Sequence, residues 1–456
     1  MVELSQTGIE ARTGLSRLLR GRDTILFEEI GQVQARDGAL QVELIDGSQR
    51  HLRTAVAQEV ARQVDHLLHP ARRLLPPIHS VQQLGSALQR VGLSAPLPSA
   101  LLELLLLGAA RVGATDLHLE RRAGLQLRIR VDGFIHDIGH LEPKVAERLL
   151  GRLKVIAGLV SYRDDVTQEG RARVELDGAG VSARVTTSPG FSGEQAVIRL
   201  HDERKARIEL EQLGFGAPVL RQLEAAVQLR RGLVVVTGPP SSGKSTTLFA
   251  LLRRMHQAHG ECRRAISIED PVEVELPAVA QFQVDPARGN GYASLLTAAL
   301  RQDADVILVG EMRDRDTAHL ALQAALCGHL VLTSLHAGSV AESMIRLRDL
   351  GLDLAALGSA LRVVVAQRLV RRLCPGCRGR GCAACSETGY RGRFAVGEAA
   401  TLTEPCLQPL GQGGAHQVEA ALERAGMVTL ARATASRVSE GLTTDEEIQR
   451  VLGVPG

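Results

Sequence analysis

The chain reads as an α/β protein organised on a parallel sheet, and three observations carry that reading. Gly232–Leu248 passes from a β-branched strand, Leu233–Val236, through Gly238-Pro239-Pro240-Ser241-Ser242-Gly243-Lys244-Ser245 into an apolar-periodic helix opening at Thr246. That is the strand, loop and helix context that GxxxxGK[ST] needs in order to cradle a phosphate. Two more short apolar runs end on acids, Ala265–Ile268 on Glu269-Asp270 and Asp305–Val309 on Gly310-Glu311, as parallel strands with functional C-terminal ends do. A pair of CxxC knuckles, Cys374 with Cys377 and Cys382 with Cys385, adds a small metal-type subdomain.

Composition bounds the rest. At 456 residues the chain exceeds a single core. Its 54 basic and 51 acidic residues leave a net charge of only +3, and aromatics make up 2% with no Trp. Neither bulk electrostatics nor base stacking then argues for nucleic acid, and no such partner is expected. The most apolar stretch, Leu97–Ala110, is broken by Pro98 and Glu103 and is too short to cross a bilayer, so it reads as a buried or amphipathic helix. Four of the seven cysteines crowd together, which suits metal binding in a reducing cytoplasm better than a disulfide framework. A cytoplasmic protein is expected.

In chain order, residues 1–75 read as a small α+β domain. Strands at Thr24–Glu29 and Leu40–Ile45 flank turn signals, and a charged helix follows over Thr54–Leu68. Pro70, Pro76, Pro77 and Pro96 mark 76–97 as a linker with room for a helix. Residues 98–205 form a second α+β domain: helix Leu101–Val112, a hairpin of Asp116–Glu120 and Leu125–Val131, helix Glu142–Ile156, then strands near Gln168–Arg171, Val181–Thr186 and Ala196–Leu200. Arginines punctuate it, among them Arg128, Arg130 and Arg171. About half of such arginines are ordinary solvated strand faces, and the others are candidates to neutralise charge on a transferring phosphoryl group. Residues 206–373 carry the phosphate loop and the acid-tipped strands, 374–395 the cysteines, and 396–456 two or three short helices around Gly441-Leu442-Thr443.

The residue types fit nucleotide hydrolysis. Gly243 lets backbone N–H groups approach a phosphate, Lys244 reaches the β- and γ-phosphates, and the Ser245 hydroxyl can ligate Mg²⁺ at a helix N-terminus. The loop set is Gly238, Pro239, Pro240, Ser241, Ser242, Gly243, Lys244, Ser245 and Thr246. Glu269 and Glu311 share two jobs, Mg²⁺ support and activation of the attacking water, with the division left open. The strand Leu330–Leu335 ends on His336; a lone strand-end His is more often structural, but one in a series of strand tips favours nucleotide sensing. Four thiolates, Cys374, Cys377, Cys382 and Cys385, satisfy a closed Zn²⁺ site, with glycines loosening the short spacer. Residue chemistry alone therefore reaches an Mg-ATPase with a RecA-like core and a structural zinc.

These segments, in this order, resemble the secretion-superfamily ATPases, specifically the type II secretion and type IV pilus assembly branch, from about residue 98 to the C-terminus. Gly238–Leu248 looks like that family's Walker A, Ile268–Glu273 its aspartate box, Leu300–Asp303 through Val309–Asp314 its Walker B, and Gly328–Leu330 through Leu335-His336 its histidine box. Gln367-Arg368-Leu369-Val370-Arg371, the cysteines and Gly389–Arg393 resemble its metal-bearing subdomain, with a much shorter spacer between the cysteine pairs. Ala114–His118 with Arg128, Arg130, Asp132 and Gly133 looks like its smaller, PAS-like domain, and Gln168-Glu169-Gly170-Arg171 keeps the glycine and arginine of a further motif. The resemblance implies a homohexamer of two-lobed subunits that closes on ATP and pushes an inner-membrane platform protein, peripheral to the membrane through that partner. It also implies that Arg128, Arg130 or Arg171 clamp nucleotide charge and that His336 couples sites. The rivals are a pilus-retraction ATPase, which usually lacks the cysteines, and a nucleic-acid-translocating RecA-like motor.

Overall fold

A computed structural model describes residues 78–453 apart from 95–97, 177–178, 203–206, 261–262, 403 and 412, and before residue 78 only the strands between Val2 and Arg53. The chain divides into two compact units, Met1–His201 and Asp202–Gly456. Those early strands form two three-stranded antiparallel sheets, β1 (Val2–Leu4), β2 (Gly8–Ala11) and β3 (Thr24–Leu26), then β4 (Ile30–Arg36), β5 (Ala39–Leu44) and β6 (Gln49–Arg53). The helix expected at Thr54–Leu68 lies outside the described residues.

The rest of the first unit is a six-stranded sheet with helices on one face. Helices α1 (Val81–Ser94) and α2 (Pro98–Arg111) precede β7 (Ala114–Arg121), β8 (Leu125–Val131) and β9 (Phe134–Leu141). Helix α3 (Pro143–Ile156) then leads to β10 (Gln168–Leu176), β11 (Ala179–Gly190) and β12 (Gly193–Asp202), in the spatial order β10-β11-β12-β7-β8-β9. Strand alternation puts Leu117 and Leu119, and Leu125, Leu127 and Ile129, on the core face. The Leu-rich stretch Leu101–Leu107 is the helix of that core, with Leu104, Leu105 and Leu106 at 1% exposure or less. At roughly 1.5–3 kcal/mol per buried leucine, this helix is a main stabiliser of the unit. Gly108 matters for geometry: a Cβ there would stand 2.4 Å from Leu84 Cδ1, so its absence lets α1 seat on α2. Within the stretch 76–97, expected as a linker with room for a helix, Ile78, Leu84 and Leu88 are core residues of this unit.

The second unit is built on a seven-stranded sheet. Helix α4 (Ala217–Val227) is followed by β13 (Gly232–Thr237), α5 (Lys244–His259), β14 (Ala265–Glu269), β15 (Val279–Gln283), α6 (Tyr292–Ala299), β16 (Val306–Val309), α7 (Arg315–Leu326), β17 (Leu330–Leu335), α8 (Val340–Asp349), α9 (Leu354–Ala360), β18 (Leu361–Leu373) and β19 (Tyr390–Thr401). Their order is β15-β14-β16-β17-β13-β18-β19, and only the β18–β19 pair is antiparallel. Layers cover both faces: Leu233 and Val235 enter one cluster, Val234 and Val236 the other, which is why β13 is apolar throughout instead of alternating. The cysteines cap the tip of the β18–β19 hairpin. Because Tyr390–Thr401 is sheet, the cysteine segment proper is narrower than the expected 374–395. After a short α10 (Glu404–Leu407), α11 (Ala415–Arg424), α12 (Leu430–Ser439) and α13 (Asp445–Leu452) complete the unit.

Candidate nucleotide site and cysteine cluster

Parallel pairing sets the site. β14, β16, β17 and β13 lie side by side and point the same way, so Glu269, Glu311, His336 and the loop after Thr237 emerge along one edge in that order. The loop takes the conformations its composition allows: Gly238, Ser241 and Gly243 have φ of 154°, 61° and 88°. A Cβ on Gly238 would meet the Gln367 carbonyl at 2.5 Å, so glycine is required there. Helix α5 begins at Lys244, two residues earlier than the sequence suggests, so Gly243 is its N-cap.

Side chains along the edge form one chain of contacts. The Lys244 ammonium donates to the carbonyls of Gly238 and Pro239 at 2.9 and 3.2 Å and stands 3.3 Å from His336 Nδ1. His336 Nε2 lies 2.9 Å from one oxygen of Glu311, whose other oxygen accepts from Arg313 Nε at 2.8 Å. With Nδ1 facing an ammonium, the ring carries its proton on Nε2 and donates to Glu311. Desolvation holds the Lys244 ammonium below its ordinary range, against the pull of Glu311.

Glu269 differs from Glu311. It is 6% exposed, its Oε1 accepts from the Ser267 hydroxyl at 2.6 Å and the Gln281 amide at 3.0 Å, and burial raises its pKa despite those two bonds. The strand tips thus present one raised, sheltered carboxylate beside one partly accessible carboxylate held by His336 and Arg313.

Arg128, Arg130 and Arg171 belong to the first unit. Arg128 pairs with Glu120 at 3.3 Å, and Arg130 stands 3.8 Å from Asp116 while donating to the Gly133 carbonyl at 3.0 Å. Arg171 lies on β10 opposite Arg184 of β11. Asp116 also holds Arg199 at 2.9 Å. Arg128 and Arg130 are therefore supported by carboxylates of their own sheet.

Sequence reasoning gave no role to Gln367, Arg368 or Arg313. Gln367 and Arg368 sit on β18 against the phosphate loop and the loop after His336. An arginine two residues beyond Glu311 was the available signal for Arg313.

The four cysteines come together. Sγ separations are 3.9 Å for Cys374–Cys382, 3.7 Å for Cys377–Cys385 and 3.7 Å for Cys382–Cys385, and all four sulfurs lie within 4.8 Å of one another. A tetrahedron with metal–sulfur bonds of about 2.3 Å has edges of about 3.8 Å, so the sulfurs already have the spacing of a closed zinc site. Cys385 Sγ also accepts from the N–H groups of Cys382 and Gly389 at 3.2 and 3.3 Å, and these outweigh burial to bring its thiol below the ordinary range.

The family described as "Type II/IV secretion system protein" matches residues 94–450. The chain belongs to that family. Among its relatives, the type II secretion system protein E of Klebsiella pneumoniae is 37% identical over 379 residues, covering 78% of this chain and 76% of that one. The type II secretion system ATPase E of Vibrio cholerae is 36% identical over 371 residues, covering 75% and 73%. Among solved structures, the pilus retraction motor PilT with bound ADP is similar at 25% identity and a TM-score of 0.54, covering 75% of this chain and 94% of that one. This type II/IV secretion system protein is accordingly an ATPase with a RecA-like core. Among the described residues, no helix is long and apolar enough to cross a membrane.

Proposed function

We propose that this secretion ATPase hydrolyses ATP at the strand tips of its second unit to drive assembly of a pseudopilus or pilus and the protein secretion that depends on it. The observation that carries the proposal is the unbroken contact chain Lys244–His336–Glu311–Arg313 along the sheet edge that also holds Glu269. Loop amides and Lys244 would bind the phosphates, and Ser245 and Glu311 would hold Mg²⁺. That ion, when bound, neutralises charge on the β- and γ-phosphates. Glu269 is the better general base of the two glutamates, since a raised pKa favours proton uptake from water. Lys244 must leave His336 to reach a phosphate, which frees Nδ1 and alters the hold on Glu311; His336 is thereby fitted to report site occupancy. Arg128, Arg130 and Arg171 are proposed charge clamps once exchanged from their present surroundings.

Cys374, Cys377, Cys382 and Cys385 would hold zinc, a structural ion that fixes the hairpin tip. The cluster favours the assembly branch over the retraction branch. A homohexamer, cytoplasmic and peripheral to the inner membrane through a platform protein, completes the reading.

The test is ATPase activity against oligomeric state, with and without the cytoplasmic domain of a candidate platform protein. Stimulated turnover in a hexamer is expected. Turnover that responds instead to DNA, in a salt-sensitive manner, overturns the assembly reading in favour of a nucleic-acid motor.

A further inference from the structure

Gln367 is a fully buried amide in a strand that is otherwise apolar at that depth. Its Nε2 donates to the Ser242 carbonyl at 2.7 Å, and its Oε1 accepts from the Thr247 hydroxyl at 2.8 Å. Ser242 is the last loop residue before Gly243-Lys244, and Thr247 lies in the first turn of α5. One amide therefore ties the end of the phosphate loop to the helix that follows it. The backbone lies flat on this amide, since a Cβ on Gly243 would come within 3.3 Å of Gln367 Nε2.

Register explains why β18 supplies the clamp. β13 and β18 run parallel with Thr237 opposite Ala366, so Gln367 is the first β18 residue beyond the paired segment and meets the loop where it leaves β13. The next residue points the other way, as strand geometry requires: Arg368 donates to the Gly338 carbonyl at 2.9 Å, in the loop after His336. Ser242 is itself 3% exposed, so its carbonyl has little access to water and depends on the amide.

We infer that Gln367 is a positioning residue for nucleotide binding: it holds the phosphate loop in its phosphate-accepting shape without touching the substrate. This rests on the phosphate-loop reading of the site. A glutamine that merely satisfied the core would affect folding alone. A positioning glutamine sets how much reordering each nucleotide must impose on the loop.

The test uses the full-length protein and reads KM and kcat for ATP, the Kd for ADP, and the melting temperature with and without ADP. Gln367→Met keeps length and apolar packing but removes both bonds. It is expected to raise KM and the ADP Kd about tenfold while kcat stays within about threefold. Gln367→Glu keeps the acceptor for Thr247 but sets a carboxylate oxygen against the Ser242 carbonyl, and should not rescue. Thr247→Val should give a smaller rise of about threefold, and adding it to Gln367→Met should cost little more, because the two share one bond. A Gln367→Met protein with normal KM and ADP affinity but a lower apo melting temperature overturns the inference. If Gln367→Met does not fold, Thr247→Val decides: unchanged ADP affinity overturns it as well. A wild-type protein that neither binds ADP nor hydrolyses ATP would instead sink the site reading itself; wild-type activity with an indistinguishable Gln367→Met sinks this inference alone.

Discussion

The strand tips and the turn end of the β18–β19 hairpin use the same residue types in opposite ways. At the tips, Lys244, His336, Glu311 and Arg313 form a line in which His336 is 46% and Arg313 59% exposed. Every contact there joins a side chain that can move to one that can accept a replacement. At the turn end of the hairpin, the buried Glu447 carboxylate is held by Arg371, through its backbone N–H and Nε at 2.9 Å each and its Nη2 at 2.7 Å, and by Arg450, through Nε and Nη2 at 2.7 Å each. Arg371 also stacks on Tyr390 at 3.9 Å, whose hydroxyl bonds Thr444 at 2.7 Å. Charges that must exchange partners are left half wet; the carboxylate that fastens α13 to the sheet is sealed and saturated.

If that contrast is right, the two regions fail differently. Lys244→Ala should abolish turnover while leaving the melting temperature of the nucleotide-free protein nearly unchanged, because the lost bonds are partly solvated. Undiminished hydrolysis would sink the assignment of the loop. Next in size, Glu269→Gln should lower kcat by about 10²- to 10⁴-fold with nucleotide binding retained, as loss of a general base does. A loss of ADP affinity without a matching fall in kcat would move the base to Glu311.

Damage at the turn end of the hairpin should appear in stability. Glu447→Gln leaves Arg371 and Arg450 facing a neutral partner and is expected to cost about 3–5 kcal/mol, read by denaturant unfolding. Its pH dependence follows from direction. Burial pulls the Glu447 carboxyl up, but the bonds from Arg450 and Arg371 outweigh it and hold its pKa below the ordinary 4.5. A carboxylate depressed in the fold contributes its full stability above the unfolded value and loses it as pH falls through the folded one. The gap in melting temperature between wild type and Glu447→Gln should therefore be flat near neutrality and close below about pH 4.5; a gap that widens in acid would contradict the ion-pair account.

How much of this was legible in the sequence depends on how local each feature is. The phosphate loop, the acid-tipped strands and the cysteine quartet each lie within a few consecutive residues, so spacing alone exposed them. The nucleotide-edge order was not legible, because it follows from β17 inserting between β16 and β13. The sequence reading placed Gln367 only in a segment resembling the metal-bearing subdomain, and its bond to the phosphate loop stayed hidden for the same reason: it depends on a strand that returns to pair with β13 after 120 or more residues, as its bonds to Thr247 and Ser242 span 120 and 125 positions. Glu398 is similar. It is 2% exposed and reaches the N–H groups of Val340 and Leu430 at 2.7 Å each, joining the starts of α8 and α12, yet in sequence it is one acid among small apolar residues. Burial raises its pKa as it does that of Glu269, but helix N-termini satisfy it, so a raised pKa marks a functional carboxylate only where the partners are exchangeable.

The smallest effect sharpens the comparison from within the turn end of the hairpin. Arg450 shares Glu447 with Arg371 but is 43% exposed at its side chain, against 10% for Arg371. Water screens the outer arm and can take its place, so Arg450→Ala should cost at most about 1 kcal/mol, while Arg371→Ala, which strands part of a sealed carboxylate, should cost several times more. Equal losses in the two variants would mean that Glu447 is held by a cooperative network in which exposure does not set the worth of each arm. A double variant decides between these: near-additive losses fit independent arms, and a loss no larger than that of Arg371→Ala shows that the outer arm works only through the inner one.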